Sequence, residues 1–322
     1  MQVSTPAVSS RAFSTIGLLG RTGKKSVATT LCELTRLLLA ERYALVVNDE
    51  TAKIIASSAA CECLSDITVV DNHAMTQSCD LLIVVGGDGS ILQAVDVVVD
   101  QGCGSKKDTP ILGINRGRLG FLADVHPDEL SEKVLSVLSG AYERDERFLL
   151  SMEIYENETL IHKDVALNDV VLHAGKSVHT IDFQLWIDGV DVYRQHADGL
   201  IIATPTGSTA YNLSAGGPII HPSLSAICLA PMHPHTLSSR PILVGDSRVI
   251  ELKVHKDNRT QPHVSADGKS SVPLYANQVL RVTKHPKRLS LIHPVGYDFY
   301  EACRTKLNWN LYSDEFSLSN DF

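Results

Sequence analysis

The sequence has no long apolar run and no excess of basic residues, and each absence removes a class of function. No stretch of the 322 residues approaches the ~18–20 apolar residues that a membrane-spanning helix needs. The first thirteen residues lack the apolar core of a secretory signal, so we expect neither a membrane protein nor a secreted one. The net charge of −8 argues against a general nucleic-acid or membrane-surface binder, which is usually basic.

Cysteine pairs and the common catalytic motifs are also missing. The seven cysteines are scattered and none forms a Cys-x-x-Cys pair, so we expect free thiols in a reducing compartment. The six histidines between residues 173 and 235 lack the HxxxH or HExxH spacing of a zinc site, and no Gly-x-Ser-x-Gly elbow indicates a serine hydrolase. Residues 17–26 are glycine-rich, yet they match neither the GxGxxG nor the phosphate-loop pattern.

The first half of the chain alternates between strand-like and helix-like patterns. Short apolar runs predict strands at 14–20, 43–47, 66–70, 81–85 and 110–114. Helical spacing of apolar residues predicts helices at 26–42, 49–63, 89–100 and 127–139. Because strands that alternate with helices indicate parallel βαβ units, we predict an α/β domain with an open parallel sheet over residues 1–145.

The second half of the chain changes to a period of two. Residues 180–187 place apolar and polar side chains on alternate sides, and residues 249–255 repeat the pattern. Asp-Gly pairs at 188–189 and 267–268 indicate hairpins, and strand-like runs continue at 278–283 and 288–293. We therefore predict an all-β, sandwich-like domain over residues 146–294. A helical pattern returns at about 298–309.

One stretch of the first half combines a buried strand with a glycine loop. Five apolar residues at 81–85 run directly into Gly86-Gly87-Asp88-Gly89-Ser90. A backbone with so few side chains can turn sharply and lie against phosphates, and in open α/β sheets ligands bind at the carboxyl ends of strands. Asp88 is the one charged group in this loop. The alternative is a tight turn that carries a solvated aspartate.

Four further segments concentrate polar groups. Residues 115–122, NRGRLGFL, carry two arginines that could approach an anion, or else form a solvated loop. In residues 167–173, LNDVVLH, an Asn-Asp pair interrupts an apolar strand, so at most one of the two enters a pocket unless the strand bulges. Asp198 lies between two strand-like runs, where it could accept hydrogen bonds from a ribose or an adenine or else belong to a turn. Residues 203–218 are rich in small and hydroxylated side chains that can face an anion at a helix start.

Taken together, these motifs closely resemble bacterial NAD kinases. GGDGS at 86–90, NRGRLGFL at 115–122, LNDVVLH at 167–173, DGLIIATPTGSTAYNLSAGGP at 198–218 and PHTLSSRP at 234–241 occur in the order and spacing of that family. The resemblance implies an α/β domain and a β domain with the active site between them, and a C-terminal helix, about 295–322, that packs back on the first domain. It implies phosphorylation of the adenosine 2′-hydroxyl of NAD by ATP, with a divalent metal such as Mg²⁺.

The resemblance also implies roles for particular residues. Asp88 matches the proton acceptor and Gly89 its neighbour at the NAD, and Asn168 and Asp169 match an Asn-Glu pair that binds NAD. Further NAD contacts are matched by His179, Asp198, Thr209, Ala210, Tyr211, Asn212, Leu213 and Ser214. His196 stands where many relatives have Arg or Lys, which leaves the choice between NAD and NADH open, and Lys269 stands where a Gln is common.

The expected partners are therefore NAD and ATP, in a cytoplasmic homo-oligomer that is a dimer or a tetramer. Polyphosphate is an alternative phosphoryl donor. Two other functions fit parts of the pattern. One is a non-catalytic, dinucleotide-binding regulator on the same scaffold. The other is a kinase for a lipid or a sugar, because such enzymes share the GGDG loop. They lack the segment at 203–218, and its presence in this chain argues against that function.

Overall fold

The structure is a computed structural model that describes residues 11–21, 25–57, 63–99, 108–116, 120–175, 179–269 and 271–309. Predictions for the first ten residues, for 58–62 and for Arg118 lie outside these ranges. The described residues form two compact units, the first made of residues up to Asp145 and from Ser290 onward, and the second of Glu146–Leu289. In the described part of the chain, no helix has the length and apolar character needed to cross a membrane.

The first unit is a parallel sheet with helices packed against it. Its elements are β1 (Thr15–Gly20), α1 (Lys25–Ala40), β2 (Ala44–Asn48), α2 (Asp49–Ala56), β3 (Ile67–Val70), α3 (Asn72–Ser78), β4 (Leu81–Gly86), α4 (Asp88–Val99), β5 (Ile111–Asn115), α5 (Leu130–Leu138) and, near the C-terminus, α7 (Phe299–Leu307). Their strands pair in parallel in the order β5-β4-β1-β2-β3, and residues 291–292 of a later strand, β17 (Gln278–Pro294), pair with β5. The predicted α/β class is confirmed.

The strand order of this sheet marks the position of a ligand site. From β1 the chain proceeds to β2 on one side, whereas from β4 it proceeds to β5 on the other side. Neighbouring strands that lead away in opposite directions leave a crevice at their carboxyl ends, where open α/β sheets bind ligands. Every residue of β4 is buried, and the strand delivers Gly86 and Asp88 to this crevice.

The second unit is a sandwich of two antiparallel sheets. Its elements are β6 (Tyr142–Glu156), β7 (Thr159–Ala166), β8 (Asp169–His173), β9 (Ile181–Ile187), β10 (Val190–Ala197), β11 (Gly199–Ala203), α6 (Tyr211–Ser214), β12 (Ala226–Met232), β13 (Ile242–Gly245), β14 (Ile250–Val254), β15 (His263–Ala266), β16 (Ser271–Pro273) and β17 (Gln278–Pro294). One sheet has the order β13-β12-β11-β8-β15-β16, and the other contains β10-β9-β14-β17 with β6 and β7. Alternate residues of both sheets meet in one core, among them Leu172, Phe183 and Leu200.

The Asp-Gly hairpins form as predicted. Asp188-Gly189 and Asp267-Gly268 both have positive φ, between 50° and 77°, which is the conformation of a tight hairpin turn. Two other predictions differ from the structure. The runs at 278–283 and 288–293 belong to the single strand β17, and α3 is a helix that the apolar pattern did not predict. That helix is short and buries only Met75 and Thr76, so it leaves little periodic signal.

Candidate functional site

Asp88 is held by a clamp of main-chain N–H groups in the first unit. It is the first residue of α4, and its carboxylate accepts hydrogen bonds from the loop that follows β5. The N–H of Phe121 donates to Oδ2 at 3.0 Å, and those of Leu122 and Ala123 donate to Oδ1 at 3.1 and 3.4 Å. A carboxylate with several N–H partners is fixed in one orientation.

The clamp requires a glycine at its start. A Cβ on Gly120 would lie 2.0 Å from Oδ1 of Asp88, so only a residue without a side chain lets the loop come this close. A Cβ on Gly87 would meet nothing within 4 Å, and one on Gly89 would meet only Nη1 of Arg21, at 3.8 Å. The loop is therefore open at Gly87 and Gly89, with the Arg21 guanidinium beside Gly89, whereas a Cβ on Gly86 would lie 2.1 Å from Oγ of Ser90.

Lys306 is a functional candidate that sequence reasoning missed. It lies in the last turn of α7, and its Nζ is 3.1 Å from Oδ2 of Asp88. Nothing in the sequence sets this lysine apart from others on helix surfaces, because 218 residues separate it from its partner.

The prediction for residues 115–122 is corrected in part. Arg116 donates a hydrogen bond through Nε to Oγ1 of Thr30 and forms an ion pair with Glu33 at 3.9 Å. Its charge is therefore engaged by α1, so it does not form a free anion site, and Arg118 lies outside the described residues. What this segment contributes to the first unit is its main chain, through the N–H clamp.

In the second unit, six of the predicted residues line one cavity of about 730 Å³. These six are Asn168, Asp169, His179, Asp198, Ala210 and Tyr211. The cavity also includes residues that the sequence did not single out, among them Met232, His233, Ser265 and Asp267. Cavities of this size are typical of small-molecule sites, roughly 300–1,000 Å³.

Asp267 organises the floor of this cavity. Its side chain is fully buried, and its carboxylate accepts N–H hydrogen bonds from Leu167 at 2.8 Å, Asn168 at 2.7 Å and Asp169 at 3.1 Å. Burial raises the pKa of Asp267, although these bonds and Lys269, 4.0 Å away, act in the opposite direction. The sequence identified Asp267 only as part of a turn.

Asp169 is the second buried carboxyl at this position. Only 5% of its surface is exposed, and burial, followed by the negative charge of Asp267, raises its pKa to about 7. Three N–H groups and Lys269 oppose the effect of burial on the pKa of Asp267, whereas burial and the charge of Asp267 both raise the pKa of Asp169.

Asn168 and Asp169 both line the cavity, contrary to the expectation that only one would. The strand β8 begins at Asp169, so Asn168 lies in the preceding turn and is not bound by strand alternation. The Asn168 carbonyl accepts the N–H of Thr204, and a Cβ on Gly207 would lie 2.0 Å from that carbonyl oxygen. The segment at 203–218 is therefore packed directly on this turn.

Some residues of that segment line the cavity, and others form hydrogen bonds within the segment. Asn212 is fully buried and donates through Nδ2 to the carbonyls of Ser208 and Pro218. Thr209 donates to the carbonyl of Thr206. Thr209, Asn212, Leu213 and Ser214 are not among the lining residues, whereas Ala210 and Tyr211 are, with the Tyr211 side chain half exposed. The helix α6 thus presents one edge to the cavity.

His196 and Lys269 also lie outside the lining of this cavity. His196 contacts Asp182 at 2.9 Å through Nδ1 and Thr180 at 2.6 Å through Nε2, and it borders a different cavity of about 740 Å³. The Nζ of Lys269 donates to the carbonyl of Val165 at 3.3 Å. Their predicted contacts with NAD stay predictions.

The chemistry of the 730 Å³ cavity favours a ligand that donates hydrogen bonds. Its lining includes the carboxyls of Asp169, Asp198 and Asp267, and none of the described lining residues is Lys or Arg. Nδ1 of His233 lies 3.0 Å from Oδ2 of Asp198. Carboxylates accept from hydroxyl and amino groups, so this lining suits the ribose and base of a nucleoside better than a phosphate.

The divalent cation implied by the resemblance has no protein site of its own in the described chain. No three His, Cys, Asp or Glu side chains among the described residues come together as a metal-binding group. The carboxylate of Asp88 already has four donors. These side chains do not fit a resident metal, whereas Mg²⁺ bound to nucleotide phosphates and water needs few protein ligands.

Comparisons with known proteins cover almost the whole chain. Residues 16–142 match the model of the ATP-NAD kinase N-terminal domain, and residues 167–294 match that of the ATP-NAD kinase C-terminal domain. The chain is 55% identical over 315 residues to an NAD kinase of Psychrobacter arcticus, covering 98% of this chain and 94% of that protein. It is 50% identical to an NAD kinase of Acinetobacter baylyi, with 94% of each chain covered.

Solved structures show the same fold. The crystal structure of yeast NADH kinase complexed with NADH superimposes with a TM-score of 0.81 at 25% identity, over 95% of this chain and 89% of that chain. An NAD kinase from Archaeoglobus fulgidus in complex with ATP gives a TM-score of 0.66 at 24% identity, over 90% of this chain and 99% of that chain, which supports the fold.

Proposed function

The chain belongs to the NAD kinase family, and we propose that it phosphorylates the 2′-hydroxyl of the adenosine ribose of NAD with Asp88 as the general base. The observation that carries this proposal is the clamped carboxylate of Asp88 beside an open glycine loop. In this proposal the first unit supplies the base and the phosphate loop, and the second unit binds the nucleotide in its 730 Å³ cavity.

The proposed reaction transfers one phosphoryl group. Asp88 accepts the proton of the 2′-hydroxyl, the ribose oxygen forms a bond to the γ-phosphorus of ATP, and the bond from that phosphorus to the β,γ-bridging oxygen breaks. The products are NADP, ADP and a proton. Such transfers depend mainly on positioning and electrostatics, so the reaction needs few protein groups, among them a fixed carboxylate and a loop that approaches phosphates. ATP enters as its Mg²⁺ complex, and the ion belongs to the substrate.

The nucleotide is oriented by the acceptors of the second unit. In this proposal the carboxyls of Asp169 and Asp198 accept from hydroxyl or amino groups, and Tyr211 provides an aromatic surface for a base. His179 completes the predicted contacts on this side of the cavity. The contacts predicted for Gly89, Thr209 and Ser214 belong to the same proposal, as do those for His196 and Lys269.

The test is the formation of NADP by the purified full chain with NAD, ATP and Mg²⁺. We expect Asp88→Asn to lower kcat by about 10²–10⁴-fold, because a positioned base contributes that much. NAD binding, measured by calorimetry, should be retained. Asp128→Asn makes the same chemical change at an exposed position of the first unit and should leave kcat unchanged. Near-normal turnover by Asp88→Asn would overturn the assignment of the base.

The assay also decides between the proposed activity and its alternatives. Tight NAD binding without product from ATP or polyphosphate would favour a non-catalytic regulator. The cytoplasmic compartment and the homo-oligomer stay predictions from the family, and sedimentation of the purified chain tests the second.

A further inference from the structure

The carboxylate of Asp88 has a full set of hydrogen-bond donors, and one of them differs in kind. Oδ1 accepts from the N–H groups of Leu122 and Ala123, and Oδ2 accepts from the N–H of Phe121 and from Nζ of Lys306. The three N–H groups belong to the main chain of one packed loop. Among the described residues, Lys306 provides the side-chain donor, on a flexible stem.

The ammonium group of Lys306 also contacts the side chain of Phe121, a residue of the loop whose N–H groups bind Asp88. Its Nζ lies 4.4 Å from the centroid of the Phe121 ring, a cation–π contact, and the ring of Phe121 lies 6.2 Å from that of Phe299 at the start of α7. The other cation of the last turn, Arg304, forms ion pairs with Asp298 and Glu301. Lys306 is thus the member of this turn whose charge is directed at Asp88.

The proposed reaction needs the position that Lys306 occupies. To take the proton of a hydroxyl, Asp88 must offer a free lone pair, yet each oxygen already accepts two hydrogen bonds. The N–H groups cannot leave without unfolding their loop, whereas an ammonium on four methylenes can swing away. At the same moment a polyanionic phosphoryl donor must come close to the negative charge of Asp88.

We infer that Lys306 is the exchangeable partner of Asp88. In the resting protein its ammonium occupies the site on Oδ2 that the substrate hydroxyl later takes, and it then moves to the phosphoryl oxygens of the donor. This inference rests on the proposed function, because it gives Lys306 a role in the same transfer. The exchange needs no bond other than hydrogen bonds and keeps a positive charge beside the reacting groups throughout.

The test compares Lys306→Met with Lys306→Arg in the full chain. Methionine keeps an apolar stem on Phe121 and removes the charge, whereas arginine keeps the charge. We expect Lys306→Met to lower kcat/KM for ATP by about 10- to 100-fold, the loss typical of one hydrogen bond to a charged group. KM for NAD should change less than about twofold. Lys306→Arg should keep most of the kcat/KM for ATP that Lys306→Met loses.

Controls separate this role from a structural one. Lys53→Met removes an exposed lysine from α2, also in the first unit, and should change neither KM. Thermal unfolding of each variant reports whether α7 stays folded, and Lys306→Gln serves if the methionine variant does not. The inference would be overturned if folded Lys306→Met had an unchanged kcat/KM for ATP, or if the substitution changed kcat/KM for ATP and kcat/KM for NAD by the same factor.

Asp88→Asn, measured in parallel, makes the two possible failures distinguishable. If Asp88→Asn turns over normally, the proposed base is wrong. If Asp88→Asn is inactive while Lys306→Met keeps its affinity for ATP and its kcat, the base stands and the role of Lys306 is wrong.

Discussion

The buried carboxyl of Asp169 should make the second unit less stable as the pH rises. Its pKa is raised from 3.8 to about 7, so between these values the folded protein holds a proton that the unfolded chain has released. Stability therefore falls as the pH rises through this window, and the full penalty is present above pH 7. Replacing Asp169 with Asn removes the ionisation, and an amide resembles the protonated acid in shape.

The magnitude follows from the displacement of the pKa. At 1.36 kcal/mol per pH unit, the raised pKa of Asp169 lowers the free energy of unfolding by about 4 kcal/mol at pH 8 and by about 1–2 kcal/mol at pH 5. We therefore expect Asp169→Asn to be more stable than the unmodified chain at pH 8. The advantage should shrink by about 3 kcal/mol between pH 8 and pH 5, because two pH units separate pH 5 from the pKa of about 7. Groups that do not face Asp169 cancel because the comparison is between two proteins at the same pH, whereas Asp267, whose charge acts on Asp169, contributes to the difference.

Urea unfolding at several pH values measures this difference. Trp186 lies in β9 of the second unit, and Trp309 is replaced by Phe in both proteins so that the fluorescence reports that unit. Asp191→Asn, an exposed carboxyl on β10, is the matched control and should give a difference that does not depend on pH. The reasoning is refuted if the advantage of Asp169→Asn is flat between pH 5 and 8, or if the variant is less stable at pH 8.

Two glycine substitutions test the close approaches at the two sites. Gly120→Ala would place Cβ 2.0 Å from Oδ1 of Asp88, and we expect the assay of NADP formation to show a loss of about 10²-fold in kcat because the base is displaced. Gly207→Ala would place Cβ 2.0 Å from the carbonyl oxygen of Asn168, and urea unfolding should show a loss of about 1–3 kcal/mol with weaker NAD binding. Gly245→Ala, where a Cβ meets nothing within 4 Å, is the control for both, and either variant that matches this control contradicts its prediction.

The sequence predicted the fold class because the pattern and the architecture follow the same physical rule. The fully buried run of β4 and the period-two runs of β9 and β14 report burial directly. The pattern failed where burial is weak, at α3, and at Pro286, where a break between two apolar runs falls inside the single strand β17.

The sequence predicted the residues proposed to contact the ligand better than the residues that hold them in place. Asp88 and the pair Asn168–Asp169 stand out because polar groups interrupt apolar strands. Asp267 and Lys306 do not stand out, since each acts on residues about 100 or more positions away in the chain. Such partners depend on tertiary structure, which residue spacing in one sequence does not reveal. Among the described residues, Cys32, Cys79, Cys228 and Cys303 are buried cysteines without a disulfide, and the free-thiol state of all seven cysteines stays a prediction.

The main-chain clamp on Asp88 has a consequence for how this site tolerates change. An N–H group is present in every amino acid except proline, so the three donors at 121–123 do not depend on which side chains follow them. Substitutions that keep the packing of the buried Leu122 and Ala123 should therefore spare the clamp, provided that proline is avoided and residue 120 stays glycine. Such a site therefore constrains the backbone conformation of residues 120–123 more strongly than the identity of their side chains.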